Sequence, residues 1–174
     1  MPEEIDQSTF TNPWIDSQSL PAIEEEKFTG LEQDYLYMRI TSRLIFFILI
    51  GGVGTLITVF QGFTLWYWLV PWLFLFAFSV TVEILGFRIK GYAIRQKDVS
   101  YKSGLIFYHM TSIPFNRIQH CEISQGPLGR LFDLASVKVY TAGGSSSDLS
   151  INGLHKERAQ RLRDYITKLS AEYE

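Results

Sequence analysis

The stretch of sequence that decides the fold is LIFFILIGGVGTLITVF, residues 44–60, which carries no charged side chain. With its apolar neighbours it reaches the roughly 20 residues that a helix needs to cross a ~30 Å hydrocarbon core. A second apolar stretch, residues 64–85, is of similar length, and Glu83 is its only charged residue. The link at residues 61–63 is too short for a domain. The sequence therefore predicts a two-helix transmembrane hairpin at residues 36–86, with spans at about 40–63 and 64–85.

The turn of the hairpin is uncharged, and basic side chains flank its two opposite ends. Because Lys and Arg are retained on the cytoplasmic side, we expect both termini to be cytoplasmic. Amphipathic aromatic rings favour the headgroup boundary, and those that open the second span indicate its outer side. The basic residues are Arg39, Arg43, Arg88, Lys90, Arg95 and Lys97, and the aromatic residues are Trp66, Tyr67, Trp68 and Trp72.

Small residues and one carboxylate characterise the interior of the hairpin. Gly51, Gly52 and Gly54 allow another helix backbone to approach closely, and the second span is the nearest candidate. Glu83 is either a functional intramembrane carboxylate or an interfacial residue beside Arg88, since it lies within a turn of the expected cytoplasmic boundary.

The residues before the hairpin are acidic and those after it are basic, although the whole chain has a net charge of only −2. Residues 1–35, which include Trp14 and the acidic run at 24–26, are predicted to form a partly disordered tail. The sequence does not indicate what this tail does.

After residue 86 the apolar runs give way to short alternating stretches separated by Gly, Pro, Asn and Ser, a pattern typical of strands joined by turns. From about His155, a spacing of three and four places Ala159, Leu162, Ile166 and Leu169 on one helix face. These patterns predict a cytoplasmic domain at residues 87–174, an antiparallel sheet closed by a C-terminal amphipathic helix. The expected strands are about residues 87–95, 99–102, 105–112, 117–124, 136–141 and 148–151, with a flexible tip at 143–147.

Side chains that carry chemistry are sparse. The three histidines, His109, His120 and His155, are not spaced as metal ligands. Cys121 alternates with Ile123 as a small buried strand residue does. No phosphate-binding loop or nucleophile motif occurs. We therefore expect no enzyme, no cofactor and no metal site, and the membrane tether and modest positive charge disfavour nucleic acid as a partner.

Three stretches carry a family resemblance: IPFNRIQ at 113–119, QGPLGRLF at 125–132 and TAGG at 141–144. With them, the chain resembles the YdbS-like bacterial membrane proteins, which carry the second class of bacterial pleckstrin-homology-like domain. The resemblance implies an α+β membrane protein of the bacterial plasma (inner) membrane. In such a protein the transmembrane hairpin precedes a pleckstrin-homology-like β-barrel or sandwich with a C-terminal capping helix. A seventh strand is then expected, either from a split in residues 87–103 or near residues 126–134.

Two candidate interaction surfaces follow. Basic residues near the membrane could face anionic lipid headgroups, or could serve topology and solubility alone. The residues of the family stretches could form a docking surface for another membrane protein, or could have a structural role. The candidate lipid-facing residues are Arg88, Lys90, Arg95, Lys97 and Lys102, and the candidate docking residues are Arg117, Gln119, Gln125, Arg130, Leu131 and Phe132.

The functional prediction is a non-catalytic, membrane-anchored interaction module whose domain binds a protein partner. The resemblance suggests another membrane protein with pleckstrin-homology-like domains, or self-association. The alternative is a sensor of anionic lipid headgroups, which would make membrane lipids the partner.

Overall fold

The computed structural model describes residues 27–142 and 147–172 of the chain. The predicted tail up to residue 26 and positions 143–146 of the predicted hairpin tip lie outside these described residues.

Two long antiparallel helices form the hairpin: α1, Gln33–Phe60, and α2, Trp66–Ile89. In the turn between them Gly62 has a φ of 70°, which glycine adopts without steric cost. Both helices run beyond the predicted spans on the side of the domain, since α1 begins before residue 40 and α2 ends after residue 85. The extra turn of α1 stays helical because its side chains Tyr35 and Met38 pack against the domain core.

The middle of each helix is uncovered by protein. Only 11% and 6% of the residues in their most apolar stretches are buried. Water would not tolerate so large a contiguous apolar surface, whereas a bilayer solvates it. Both helices are long and apolar enough to cross a membrane, and the chain is a membrane protein, as predicted.

The glycines of α1 accommodate indole rings rather than a helix backbone. A Cβ atom on Gly51 would lie 2.6 Å from Trp72 Cζ2, and one on Gly54 would lie 2.0 Å from Trp68 Cζ2. Gly52 has nothing within 4 Å of its Cβ position. The expectation of a close backbone contact through all three glycines is therefore wrong. Two of them are sockets for the two tryptophans, which are half-buried and so differ from the exposed rings that open α2.

The domain consists of a four-stranded and a three-stranded antiparallel sheet and a C-terminal helix. This is the predicted pleckstrin-homology-like architecture. The strands are β1, Thr29–Gly30; β2, Gly91–Ile94; β3, Asp98–Ser103; β4, His109–Pro114; β5, Ile118–Ser124; β6, Leu134–Thr141; and β7, Leu149–His155. The first sheet has the strand order β1-β2-β3-β4 and the second β5-β6-β7. The helices of the domain are α3, Pro127–Leu131, and α4, Lys156–Glu172.

The seventh strand comes from a place that the sequence did not suggest. It is β1, which precedes the membrane hairpin and pairs with β2 through Thr29 opposite Tyr92 and Gly30 opposite Gly91. Both expected positions, within residues 87–103 and near residues 126–134, are wrong. Leu31, which follows β1, is buried in the core. Part of the predicted tail therefore belongs to the domain.

Several further boundaries differ from the prediction. Residues 87–89 continue α2 instead of opening a strand, and residues 105–108 form a turn between β3 and β4. Residues Phe115–Arg117 form a 3-10 helix, so that β5 begins at Ile118. β7 extends to His155, where the chain enters α4 directly.

The core lies between the two sheets and α4. Val99 of the first sheet and Val137 and Ile151 of the second are completely buried, as is Ile166 of α4. Burial of each such side chain stabilises the fold by about 1.5–3 kcal/mol. The predicted apolar stripe of α4 is confirmed at Ala159, Leu162 and Ile166, which face β5 and β6.

Candidate interaction site at the junction of domain and membrane

A buried carboxylate ties the two membrane helices together where they meet the domain. The side chain of Glu83 is only 4% exposed. Arg39 Nε lies 3.0 Å from its Oε1 atom, and Arg39 Nη2 lies 3.1 Å from Oε2. Arg43 reaches Oε2 with Nε at 2.9 Å and Nη2 at 2.6 Å, and Lys90 Nζ lies 3.4 Å from Oε1. We call these four residues the Glu83 cluster.

The Glu83 cluster supports a structural role for the carboxylate. Charge-assisted bonds from two nitrogens of one guanidinium fix its orientation as well as its distance, and here they join α1 to α2. Lys90, which leads into β2, adds a third cation. Arg88, the neighbour that the sequence suggested, is exposed and outside the cluster.

The first turn of α1 is docked on the domain by packing and by polar contacts. Tyr35 covers Gly153 of β7, where a Cβ atom would lie 2.3 Å from Tyr35 Cγ. The Glu32 backbone N–H donates to the Gly153 carbonyl at 3.2 Å. Arg158 of α4 holds the Glu32 carboxylate at 2.6 Å, and His155 Nε2 lies 3.6 Å from Asp34 Oδ2. The hairpin and the domain therefore form one continuous packed unit.

An apolar groove of about 390 Å³ opens at this junction. Its walls are Tyr35 and Met38 of α1 on one side, and the loop and helix at 126–129 on the other. We call it the junction groove. Its complete lining is Tyr35, Met38, Ser124, Gly126, Pro127, Leu128, Gly129, Leu134, Ala135, Ser136 and Gly153.

The loop sequence explains the shape of the groove. Pro127 stands at the start of α3, where its missing N–H costs nothing. Gly129 is buried, and a Cβ atom there would lie 2.7 Å from the Leu134 carbonyl oxygen. Gln125 Nε2 donates to the Gly129 carbonyl at 3.4 Å, which closes the turn. Leu131, at the end of α3, is 80% exposed.

The candidate docking residues are divided between two ends of β5. Gln125, Arg130, Leu131 and Phe132 lie on or beside α3; Gln125 is tied to the loop, Arg130 and Leu131 are exposed, and Phe132 packs against the core. Arg117 and Gln119 are exposed at the other end of the strand, about 20 Å away at ~3.3 Å per residue. Only the α3 group therefore lies next to the groove.

The candidate lipid-facing residues are not brought together either. Lys90 is in the Glu83 cluster, Arg95 pairs with Asp98 at 3.7 Å, and Lys102 Nζ lies 4.2 Å from the centre of the Phe28 ring. Arg88 is exposed at the end of α2. Lys97 is exposed in the turn between β2 and β3, which lies at the end of these strands remote from the membrane helices.

Two parts of the junction were missed by the sequence reasoning. Tyr35 and Met38 were assigned to the tail and to the entry of the first span, although their spacing of three would place them on one face of a helix. The turn after β3 was assigned to a strand. Its four consecutive apolar residues after Gly104 were the available signal.

Burial disfavours ionisation of two side chains of the domain, the thiol of Cys121 and the phenol of Tyr101. Burial raises the pKa of Cys121 to about 11, so the thiolate is scarce at neutral pH. Burial likewise raises the pKa of Tyr101 to about 12. Among the described residues, no group of three or more His, Cys, Asp or Glu side chains is arranged to hold a metal ion.

The fold and the junction define a class: a membrane protein in which a pleckstrin-homology-like domain is carried on two helices long and apolar enough to cross a membrane. The chain belongs to the bacterial PH domain family, whose model matches residues 28–170. The match begins at β1, in agreement with the strand that precedes the hairpin.

Two curated relatives come from Bacillus subtilis (strain 168). The UPF0699 transmembrane protein YdbS is 35% identical over 83 residues, which are 48% of this chain and 50% of the relative. The UPF0699 transmembrane protein YdbT is 26% identical over 99 residues, which are 56% of this chain and 20% of the relative. The chain thus aligns with half or less of the length of these relatives. No solved structure matches it significantly.

Proposed function

We propose that the protein is a non-catalytic, membrane-anchored interaction module whose domain binds another membrane protein in the junction groove. The observation that carries the proposal is the groove itself: it is apolar and preformed, and its walls are held by the docking of α1 on β7. Preformed apolar clefts are the usual form of binding sites.

The position of the groove supports a membrane protein as the partner. Met38 lies next to Arg39 of the Glu83 cluster, at the end of the membrane hairpin. A segment that enters the groove must therefore run close to the bilayer surface. Leu131 offers an apolar contact beside the groove, and Arg130 offers a charged one.

Both termini are proposed to be cytoplasmic, in a bacterial plasma membrane that the chain crosses twice. The arginines of the Glu83 cluster and Arg88 lie at one end of the hairpin, and the exposed rings of Trp66 and Tyr67 lie at the other. The direct pairing of β1 with β2 supports a topology in which the two ends of the hairpin share one side of the membrane. Labelling of Gln61→Cys by an impermeant thiol reagent in intact cells checks the orientation; protection of this cysteine would contradict it.

The docking proposal is tested by photo-crosslinking in native membranes with the full chain, because a fragment starting at residue 87 would lack β1 and Tyr35. A photoreactive amino acid replaces Leu131, and in a control it replaces Tyr165, which is exposed on α4. We expect an adduct with a membrane protein or a second copy from position 131 only, and its loss when Leu128→Asp changes the groove. Equal adducts from both positions, or none from position 131, would overturn the proposal.

The anionic-lipid alternative has less support, because its basic residues are dispersed over both ends of the β2–β3 hairpin. It predicts that anionic lipid protects the amides of β2 and β3 from hydrogen exchange in the reconstituted chain, and that salt removes this protection. Such protection without an adduct at position 131 would replace the protein-binding proposal.

A further inference from the structure

The turn between β3 and β4 exposes an unusual run of apolar side chains. Leu105, Ile106, Phe107 and Tyr108 follow one another, and Ile106 and Phe107 are each 76% exposed. We call residues 104–108 the apolar turn. An exposed apolar run of this size is characteristic of a surface that meets another molecule or a membrane.

The apolar turn has a defined shape. Gly104 has a φ of 101°, and a Cβ atom on it would lie 1.8 Å from the Phe107 carbonyl oxygen. Only glycine fits there, so the chain reverses within these few residues. β3 and β4 pair from Asp98 opposite Pro114 up to Ser103 opposite His109 and hold the base of the turn. The four apolar side chains are therefore presented at the tip of a paired hairpin.

The apolar turn lies against the end of a membrane helix. A Cβ atom on Gly86 of α2 would lie 3.9 Å from Leu105 Cβ. The two helices are antiparallel, because Gly54 contacts Trp68 and Arg39 contacts Glu83. Gly86 therefore lies about one helical turn beyond the Glu83 cluster, on the side of the domain.

The depth of Gly86 follows from the length of the helix. If the exposed Trp66 marks one headgroup boundary, a ~30 Å hydrocarbon core at 1.5 Å per residue extends over about 20 residues, to about residue 86. Leu105 thus lies at the opposite boundary of the hydrocarbon core, and Ile106 and Phe107 extend from the same tip.

We propose that the apolar turn inserts into the headgroup and upper acyl region of the bilayer that α1 and α2 cross, as a second membrane attachment of the domain. The apolar turn lies beside the uncovered apolar face of α2. The lipid that contacts this face of α2 therefore also borders the side chains of the turn. Tyr108, which is 51% exposed, has the amphipathic ring that favours the headgroup boundary. Arg88, exposed in the last turn of α2, stands nearby as a cation for lipid phosphates.

The test uses the full chain in vesicles of phosphatidylethanolamine and phosphatidylglycerol, with a Cys121→Ala background and one nitroxide spin label. The label replaces Phe107, or in the control Ile94, which is also exposed but ends β2 away from the membrane helices. Collision with oxygen reports on lipid, and collision with a water-soluble nickel chelate reports on water. We expect the ratio of oxygen to nickel accessibility to be severalfold higher for the Phe107 label than for the Ile94 label.

Two outcomes would overturn the proposal. Equal ratios at the two positions would show that the apolar turn stays in water. A Phe107 label shielded from both reagents would show that protein covers the turn, and this shielding would depend on the protein-to-lipid ratio if the cover is a second copy. Neither result bears on the junction groove, whose crosslink at position 131 is measured separately.

Discussion

Replacing Gly153 by alanine tests how the domain is fixed to the membrane hairpin. Gly153 has a φ of 72°, and its Cβ position lies 2.3 Å from Tyr35 Cγ and 2.7 Å from Tyr35 Cβ. The left-handed conformation costs alanine roughly 1–2 kcal/mol. Tyr35 Cβ is fixed by the α1 backbone, and Cγ moves only if the buried ring is displaced, so overpacking adds about 1–3 kcal/mol.

Together these effects lower the free energy of unfolding by about 2–5 kcal/mol, which for a domain of this size lowers Tm by at least ~8 °C. The measurement follows Cys121, the single cysteine, with a thiol-reactive dye that becomes fluorescent as the thiol is exposed on heating. Because Cys121 lies in β5, the dye reports on the domain itself.

The matched control is Gly126→Ala. Gly126 has a φ of −79° and nothing within 4 Å of its Cβ position, so alanine is accommodated. In a Tyr35→Ala background, Gly153→Ala should cost less, since the contact with the ring carbon Cγ has gone and only the 2.7 Å contact with the Cβ atom of residue 35 remains. The reasoning would be refuted if Gly153→Ala and Gly126→Ala had the same Tm. It would also be refuted if Gly153→Ala lowered Tm equally with tyrosine and with alanine at position 35.

Three further predictions concern the hairpin and the thiol. Glu83→Gln leaves three cations without their counter-charge and should destabilise the protein by roughly 2 kcal/mol. This is less than the ~3–5 kcal/mol of a fully buried pair, because Arg39 and Arg43 are 41% and 32% exposed. The same thermal assay should show no comparable loss for Glu122→Gln, since Glu122 is exposed. Gly51→Leu must displace the Trp72 ring and should lower Tm, whereas Gly52→Leu points away from α2 and should not; similar losses for the two neighbours would contradict the indole sockets. The pKa of Cys121 is about 11 in the native chain and about 8.5 in the denatured chain, so at pH 8 the native thiol should react with iodoacetamide about 200-fold more slowly. The rate of the native chain should rise as the pH approaches 11. Equal rates in the two states would show that the thiol is neither buried nor perturbed.

The hairpin could be predicted from sequence because its signal is local and one-dimensional. An uninterrupted apolar run of about 20 residues has few alternatives. The stripe of α4 is equally local, since Leu162 and Ile166 are four residues apart and share a helix face. The family stretches added the domain architecture, which local patterns alone would have left as an unspecified antiparallel sheet.

The remaining features depend on partners that are distant in sequence. Thr29 and Gly30 carry no strand periodicity, and they form β1 only because Gly91 and Tyr92 present an open edge more than sixty residues later. The run at 105–108 has the composition of a strand, and it is the left-handed Gly104 that makes it a turn. The basic residues were grouped by sequence proximity, whereas the β2–β3 hairpin separates Lys97 from Lys102 along its length.

The position of β1 has a consequence for biosynthesis. The domain is discontinuous in the chain, with its first strand made before the membrane hairpin and its other strands made after it. On the proposed topology, the first sheet cannot be completed until both helices have crossed the bilayer and returned the chain to the side on which residues 29–30 lie. A molecule that crosses once leaves β2 with a bare edge and Leu31 outside the core. On this topology, completion of the sheet distinguishes molecules that cross the bilayer twice from those that cross it once and keep an unpaired strand edge.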